Sequence, residues 1–322
     1  MGPKRPPLKG KIIFVFSDPG GAKPLLSLAE ENWNNELLVI SDRDYPFYKD
    51  FRSVVKIIDQ DIDSVINFFQ PTLIFTGTSY TSDIEKKFII SSIERNIKCL
   101  SFVDHWTNVV QRFENKNGDL VLPDQIWLVD ENARKIAISQ GIDIKKIFIS
   151  GNPYHDWLKK WEPSLNKNEF LKLSGIPNSQ KRILLYAPDP LSNVNGIEEF
   201  GFDELSVTSS LVDFFKRHSS ELANWEVLVK PHPNQNRRSI EKIISFNSSF
   251  HLLSKDINTN STIFYADIVL GFFSSILIEA EIMNKRVLRF FDREITNDPI
   301  QELHVGVIVN TCGLLKELNV IL

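Results

Sequence analysis

Cysteine is scarce in this chain, and its scarcity excludes two classes of architecture. Only Cys99 and Cys312 occur among 322 residues. One lies in an apparent buried strand and the other near the C-terminus, which suits a reducing compartment and neither a disulfide scaffold nor a cysteine zinc site. Long apolar runs are missing as well. The basic, proline-rich start "MGPKRPPLKGK" is followed by a short apolar run that ends before Asp18. That is a core strand, not a signal-peptide core or a membrane span. Gly2 fits a myristoylation start, but Pro6 stands where that motif needs Ser or Thr. Excess positive charge is absent: 37 Lys and Arg against 41 Asp and Glu give a net charge of −4 and a pI near 5.9. No global basic field is available for nucleic acid or an anionic membrane, and basic and aromatic residues do not interleave as on a nucleic-acid platform. The expected location is the cytoplasm or the inner face of the membrane, with at most peripheral association. The sequons at Asn247 and Asn260 carry no weight in a chain that is not secreted.

What is present is ordinary for a soluble globular protein, with 42% hydrophobic and 24% charged residues. The length is about twice that of a typical domain. Short, wholly apolar runs bounded by turn residues predict strands at 11–16, 36–41, 54–59, 72–77, 98–104, 125–130 and 146–151. Helical patterns fall near 21–34, 61–69, 83–95 and 131–140. Runs without alternation suit strands buried on both faces by crossover helices. A polar stretch, 155–182, reads as a linker with one helix. The pattern then restarts with strands at 183–188, 225–230, 250–254, 267–272 and 286–291. The expected fold is α/β, with two Rossmann-like doubly wound domains, 1–154 and 155–322, facing across a cleft that would take the ligand.

"VLVKPHPNQN" (227–236) is the least ordinary stretch. Proline fixes its own φ and pushes the preceding residue out of the helical region, so His232, between Pro231 and Pro233, sits on a stiff extended stub. With Lys230 before it and Arg237 and Arg238 after it, His232 could donate to phosphate oxygens of a nucleotide leaving group; the plain alternative is a structural turn. In "ADIVLGFFSSILIEAEI", Gly271, Ser274 and Ser275 lie between a strand and a helix, with Glu279 one turn inside. Hydroxyls and free amides at a helix N-terminus suit an anion, and the carboxylate could take ribose hydroxyls.

Three strand ends in the first half carry further candidates. In "SDPGGAKP" (17–24), Gly20 and Gly21 let backbone amides approach an anionic ligand, or else form a tight turn with Asp18 capping the helix. The stretch lacks the GxGxxG dinucleotide fingerprint. "SFVDHWTN" (101–108) offers Asp104 as a general base, His105 as its partner and Trp106 as a wall against water, unless Asp104 merely caps the next element. "GTSYTSDIE" (77–85) presents Thr78 and Ser79 to an acceptor, while Ser82 and Glu85 have capping-box spacing. The Asp-x-Asp patterns at 41–44 and 59–63 lack a calcium-loop pattern, and His155, His218, His251 and His304 lack metal-ligand spacing, so no metal is expected.

With these residues in place, the chain resembles the GT-B superfamily of nucleotide-sugar enzymes. "VKPHPN" followed by "GFFSSILIEA" is similar to the His-Pro and Ser-Ser motifs of bacterial capsule glycosyltransferases, including polysialyltransferases and Kdo transferases, and of CDP-glycerol glycerophosphotransferases. The resemblance implies that His232, Ser274 and Ser275 bind the phosphate of a CMP- or CDP-activated donor. Those families carry two acids and a glycine after an N-domain strand; here Asp104 matches, while His105 and Trp106 replace the second acid and the glycine. "GNP" (151–153) is similar to their interdomain Gly-Asn-Pro.

The resulting expectation is a glycosyltransferase without metal or cofactor, moving a CMP-activated ulosonic acid onto a hydroxyl of a surface glycan. Asp104 with His105 would be the base and Asp18 the reserve. His232 and the serine pair would stabilise the leaving phosphate. Lys230, Gly271 and Glu279 would complete the donor site, and Gly20, Gly21, Thr78 and Ser79 the acceptor site. Alternatives are a CDP-alditol phosphotransferase, a UDP-sugar transferase or epimerase of the same fold, and a non-enzymatic sugar-nucleotide binding module.

Overall fold

The apolar runs pair into two parallel sheets, one in each half of the chain. In the computed structural model the described residues are 5–58, 61–106, 108–115, 117–176, 180–232, 234–291, 295 and 298–320. Gly2 and Pro233, named above, and the first two residues of the pattern at 59–63 lie outside them. The chain divides into two compact units, with the boundary between Trp157 and Leu158.

The first unit contains strands β1 (Lys11–Phe16), β2 (Glu36–Ser41), β3 (Val55–Ile57), β4 (Leu73–Thr76), β5 (Lys98–Val103), β6 (Gln125–Leu128) and β7 (Ile147–Ile149). They lie in the order β3-β2-β1-β4-β5-β6-β7, every pair parallel. Helices α1 (Pro19–Glu31), α2 (Ile62–Phe69), α3 (Ile84–Glu94), α4 (Glu131–Ser139) and α5 (Pro153–Leu158) follow in chain order, the last reaching the boundary. Strands and helices fall within a few residues of their expected positions.

The second unit opens with α6 (Lys167–Leu173), so the stretch expected to hold one helix holds most of α5 as well. Its strands are β8 (Arg182–Ala187), β9 (Trp225–Val229), β10 (Phe250–Leu252), β11 (Ile268–Gly271), β12 (Arg286–Phe290) and β13 (Val307–Val309). Their order is β10-β9-β8-β11-β12-β13, again parallel throughout. Helices α7 (Gly196–Phe200), α8 (Glu204–Arg217), α9 (Arg237–Ile244), α10 (Thr259–Tyr265), α11 (Ser275–Ile282) and α12 (Thr311–Val320) complete it. The edge strand β13 was not expected; its apolar run, Val307–Val309, is only three residues long, and two of them are exposed.

Alternation along the central strands shows why the runs are apolar throughout. Leu184 and Tyr186 of β8 pack into one core with Val227, Val229, Ile268 and Leu270. Ile183, Leu185 and Ala187 pack into another on the opposite face with Leu228 and Val269. Neither face meets water, so neither can be polar. The expected architecture of two Rossmann-like doubly wound domains is therefore the observed one. In each sheet the strand order reverses direction once, between β1 and β4 and between β8 and β11. At such switch points the loops leaving the strand ends diverge and make room for a ligand.

Candidate functional site

In the first unit, the loops after β1, β4 and β5 converge on a charged cluster. Asp18 occupies the N-cap of α1 with φ −83° and ψ 152°, yet its side chain makes no capping bond. Its Oδ1 accepts instead from Arg43 Nη1 at 2.7 Å and from Thr81 Oγ1 at 2.8 Å. Arg43 Nη2 in turn donates to Thr81 Oγ1 at 2.6 Å. The expected cap is thus replaced by a bridge from the β1 loop to those of β2 and β4.

Asp104, following β5, accepts from Arg112 Nη1 at 2.8 Å. That guanidinium nitrogen also donates to the Thr78 carbonyl at 3.0 Å and to Thr78 Oγ1 at 3.1 Å. Arg112 is only 9% exposed, its Nε has no partner, and its guanidinium carbon lies 5.3 Å from the centroid of the Tyr80 ring. His105 is exposed, its ring 5.1 Å from that of Trp106. Desolvation lowers its pKa, with Asp104 opposing and Arg112 assisting. Trp106 is anchored by Nε1 donating to both carboxylate oxygens of Asp130, at 2.9 and 2.8 Å.

The glycines of the first turn of α1 allow this convergence. A Cβ on Gly20 would lie 2.0 Å from Asp104 Oδ2, and one on Gly21 would lie 3.1 Å from the Cα of Gly77. Beneath the cluster, Glu85 is 3% exposed and accepts from the Ser17 amide at 3.0 Å and from Ser79 Oγ at 2.8 Å. Burial pushes its carboxyl up to about 7, against those bonds and its own amide. The N-cap of α3 is Asp83, so Glu85 is two residues past the cap and does not close the expected capping box. Thr78 and Ser79, expected to face an acceptor, are each 4% exposed, with their hydroxyls bonded to Phe102 and Glu85.

In the second unit, His232 follows β9 and its side chain is exposed. The Asn234 amide donates to its Nδ1 at 3.2 Å, which puts the proton of the neutral ring on Nε2. Desolvation lowers its pKa, so at neutral pH it is an uncharged donor. Its backbone amide donates to Gln235 Oε1 at 2.6 Å. Gln235 is 7% exposed and its side-chain nitrogen has no partner. The Lys230 ammonium donates to the Ile257 carbonyl at 3.0 Å, and Arg237 to the Leu253 carbonyl at 2.7 Å.

After β11, a Cβ on Gly271 would lie 2.8 Å from the Ala187 carbonyl oxygen, so this glycine is required by the close approach of β8. Ser274 takes the N-cap of α11 with φ −65° and ψ 145° but forms no side-chain cap bond, and Ser275 is exposed. Glu279 is buried at 7% exposure. The amide of Phe273 donates to Asp189 Oδ2 at 2.9 Å. Burial pushes the Asp189 carboxyl up to about 6, while the amides of Phe273, Ser274 and Phe272 and the charge of Arg289 pull it down. Arg289, 2% exposed, holds the other side of this turn: Nε donates to the Phe272 carbonyl at 2.8 Å and its fork clasps Asp298.

No family model and no curated protein matches the chain. Solved structures share its fold over nearly its whole length. A putative UDP-N-acetylglucosamine 2-epimerase from Listeria monocytogenes aligns with a TM-score of 0.66 at 16% identity, covering 96% of this chain and 87% of that one. UDP-GlcNAc 2-epimerase from Neisseria meningitidis, bound to UDP-GlcNAc, gives 0.66 at 14%, covering 95% and 90%. Anabaena HepE in complex with UDP-glucose gives 0.56 at 14%, covering 96% and 89%. The chain shares the GT-B-like fold of these structures, two Rossmann-like domains.

Within this fold, Asp18, Gly20, Gly21 and Asp104 come together at the switch point of the first unit, and His232, Gly271, Ser274 and Ser275 at strand ends around that of the second. Arg43, Arg112 and Asp189 were missed. Asp189 had a signal: it stands between Pro188 and Pro190 at the end of β8, as His232 stands between two prolines after β9. Among the described residues, no three His, Cys, Asp or Glu side chains are grouped to hold a metal ion, and no helix is long and apolar enough to cross a membrane.

Proposed function

We propose that this chain acts on a UDP-sugar and inverts a stereocentre of the sugar, as an epimerase. The supporting observation is the likeness in fold, over 95% of the chain, to a UDP-GlcNAc 2-epimerase solved with UDP-GlcNAc. The same likeness favours the alternative named from sequence over a CMP-activated ulosonic acid as donor. In this reading the second unit holds the nucleotide, with the Nε2 proton of His232 and the hydroxyls of Ser274 and Ser275 donating to phosphate oxygens. The first unit supplies acid–base chemistry. Asp104, oriented by Arg112, takes a proton from the sugar, and His105 beside it is the partner that returns one.

A second reading, glycosyl transfer to a glycan hydroxyl, is supported by one feature: the exposed His232, and Ser275 beside Ser274, resemble the His-Pro and Ser-Ser motifs of capsule transferases. The two readings separate in one experiment. The protein is incubated in D2O with UDP-GlcNAc, UDP-glucose or a CMP-linked ulosonic acid and followed by proton NMR. Epimerisation gives a second UDP-sugar with deuterium at the inverted carbon and no free nucleotide. Transfer gives free nucleotide only when an acceptor is present. A protein that neither binds nor converts any UDP-sugar overturns the proposal.

A further inference from the structure

The turn after β11 was expected to offer its amides to a ligand phosphate, yet those amides already face a carboxylate of the chain itself. Asp189 Oδ2 accepts from the Phe273 amide at 2.9 Å, and the flanking amides of Ser274 and Phe272 lower the pKa of the same carboxyl group. Successive amides turned toward one anion form a nest, the backbone concavity that binds phosphates elsewhere. Asp189 is held rigidly there. Pro188 and Pro190 flank it, Glu204 fixes the next residues by accepting from the amide and hydroxyl of Ser192 at 2.8 and 2.6 Å, and Asn193 ties the segment to the Asn234 carbonyl at 3.0 Å.

Two consequences follow. The Phe272–Phe273 turn is pinned from both sides, by Asp189 through its amides and by Arg289 through the Phe272 carbonyl. The Ser274 hydroxyl, which at an N-cap would ordinarily accept a bond from the first helical turn, makes no such bond and is left for other partners. A negative charge also stands beside any anion that those partners would hold.

We propose that Asp189 is a positioning and charge-selecting residue of the second unit: it fills the amide nest, presents the Ser274–Ser275 pair to one phosphoryl group, and disfavours ligands carrying an extra negative phosphate charge. This rests on the reading of Ser274 and Ser275 as a phosphate site. It implies that a nucleotide diphosphosugar, whose phosphates are each esterified, is preferred over the free nucleoside diphosphate with its dianionic terminus.

The test is calorimetric titration of the full chain at about pH 7.5 with UDP-GlcNAc, UDP and inorganic pyrophosphate, in wild type, Asp189→Asn and Asp189→Ala. Asparagine keeps an acceptor for the nest and loses the charge. It should tighten UDP and pyrophosphate by about tenfold, the effect of one screened charge interaction, and UDP-GlcNAc by less. Alanine releases the turn and should weaken all three. Equal effects of the two substitutions, or tightening that is the same for UDP and UDP-GlcNAc, overturn the proposal. If wild type binds pyrophosphate and UDP but not UDP-GlcNAc, the epimerase reading falls, while the contrast between Asn and Ala on pyrophosphate still decides the role of Asp189. If wild type binds none of the three, both fall.

Discussion

A methyl group on Gly20 would fall 2.0 Å from Oδ2 of Asp104, so the backbone of α1 and the proposed base share one small volume. Gly20 has no positive φ, and alanine is favoured over glycine inside a helix by about 1 kcal/mol. Gly20→Ala gains at most about that much in the helix and forfeits part of the Asp104–Arg112 pair, so the melting temperature should fall by a few degrees. The carboxylate must move, and it loses its 2.8 Å bond to Arg112. Turnover should drop by about a hundredfold, the cost of displacing a reacting group by about an ångström. Paired melting and rate measurements decide it; a stable, fully active Gly20→Ala protein would remove Asp104 from the chemistry.

Glu85 should impose a stability that declines with pH. Its folded pKa, about 7, lies above its ordinary value of 4.5, so between these the folded state binds more protons than the unfolded chain. Stability from the neutral carboxyl is fully present below about pH 4.5 and is lost as pH rises through about 7, by on the order of 3 kcal/mol. Asp189, raised to about 6, adds a decline that ends near that pH. Glu85→Gln, whose Oε1 can still accept from the Ser17 amide while its Nε2 donates to the Ser79 hydroxyl, should abolish the slope between about pH 6 and 7.5 and leave the lower part. Thermal melts across that range check it; a slope that persists in Glu85→Gln would assign it to another group.

How much of this was legible in the sequence depends on distance along the chain. Strands such as 11–16 and 183–188 announce themselves because burial on both faces forces a local run of apolar residues. His232 was legible because two neighbouring prolines mark it. Partners remote in sequence left no such trace: Asp18 pairs with Arg43 across 25 residues, and Asp189 meets Phe273 across 84. Thr78 and Ser79 have residue types that suit a ligand contact. Which way a hydroxyl faces is set by the packing of β4 against β5 and α3, and that packing buries both. A shift of one residue at the start of α3 likewise changed Glu85 from a cap into a buried carboxyl.

Arg112 should be intolerant of loss and only partly tolerant of lysine. One nitrogen serves Asp104 and both oxygens of Thr78 in a site that is 9% exposed. Arg112→Met strands the carboxylate, for which about 3–5 kcal/mol of destabilisation is typical of a broken buried pair. Arg112→Lys keeps the charge without the planar fork and should lose turnover more than stability. Chemical denaturation with parallel assays tests the contrast. Equal losses of stability in both variants would mean that geometry, rather than charge, holds Asp104.

Ser274 should be dispensable for folding and required for binding. Replacing an N-cap serine by alanine ordinarily costs about 1 kcal/mol because the hydroxyl bonds to the first helical turn. Ser274 makes no such bond, and its turn is held instead by Asp189 and Arg289. Ser274→Ala should therefore melt within a degree or so of wild type, since a few tenths of a kcal/mol shift a domain of this size by about that much. If the hydroxyl donates to a phosphate oxygen, the same change should weaken UDP binding by about tenfold, the worth of a hydrogen bond to a charged group. A variant that melts early but binds normally would show that the serine caps α11 in solution and that the phosphate lies elsewhere.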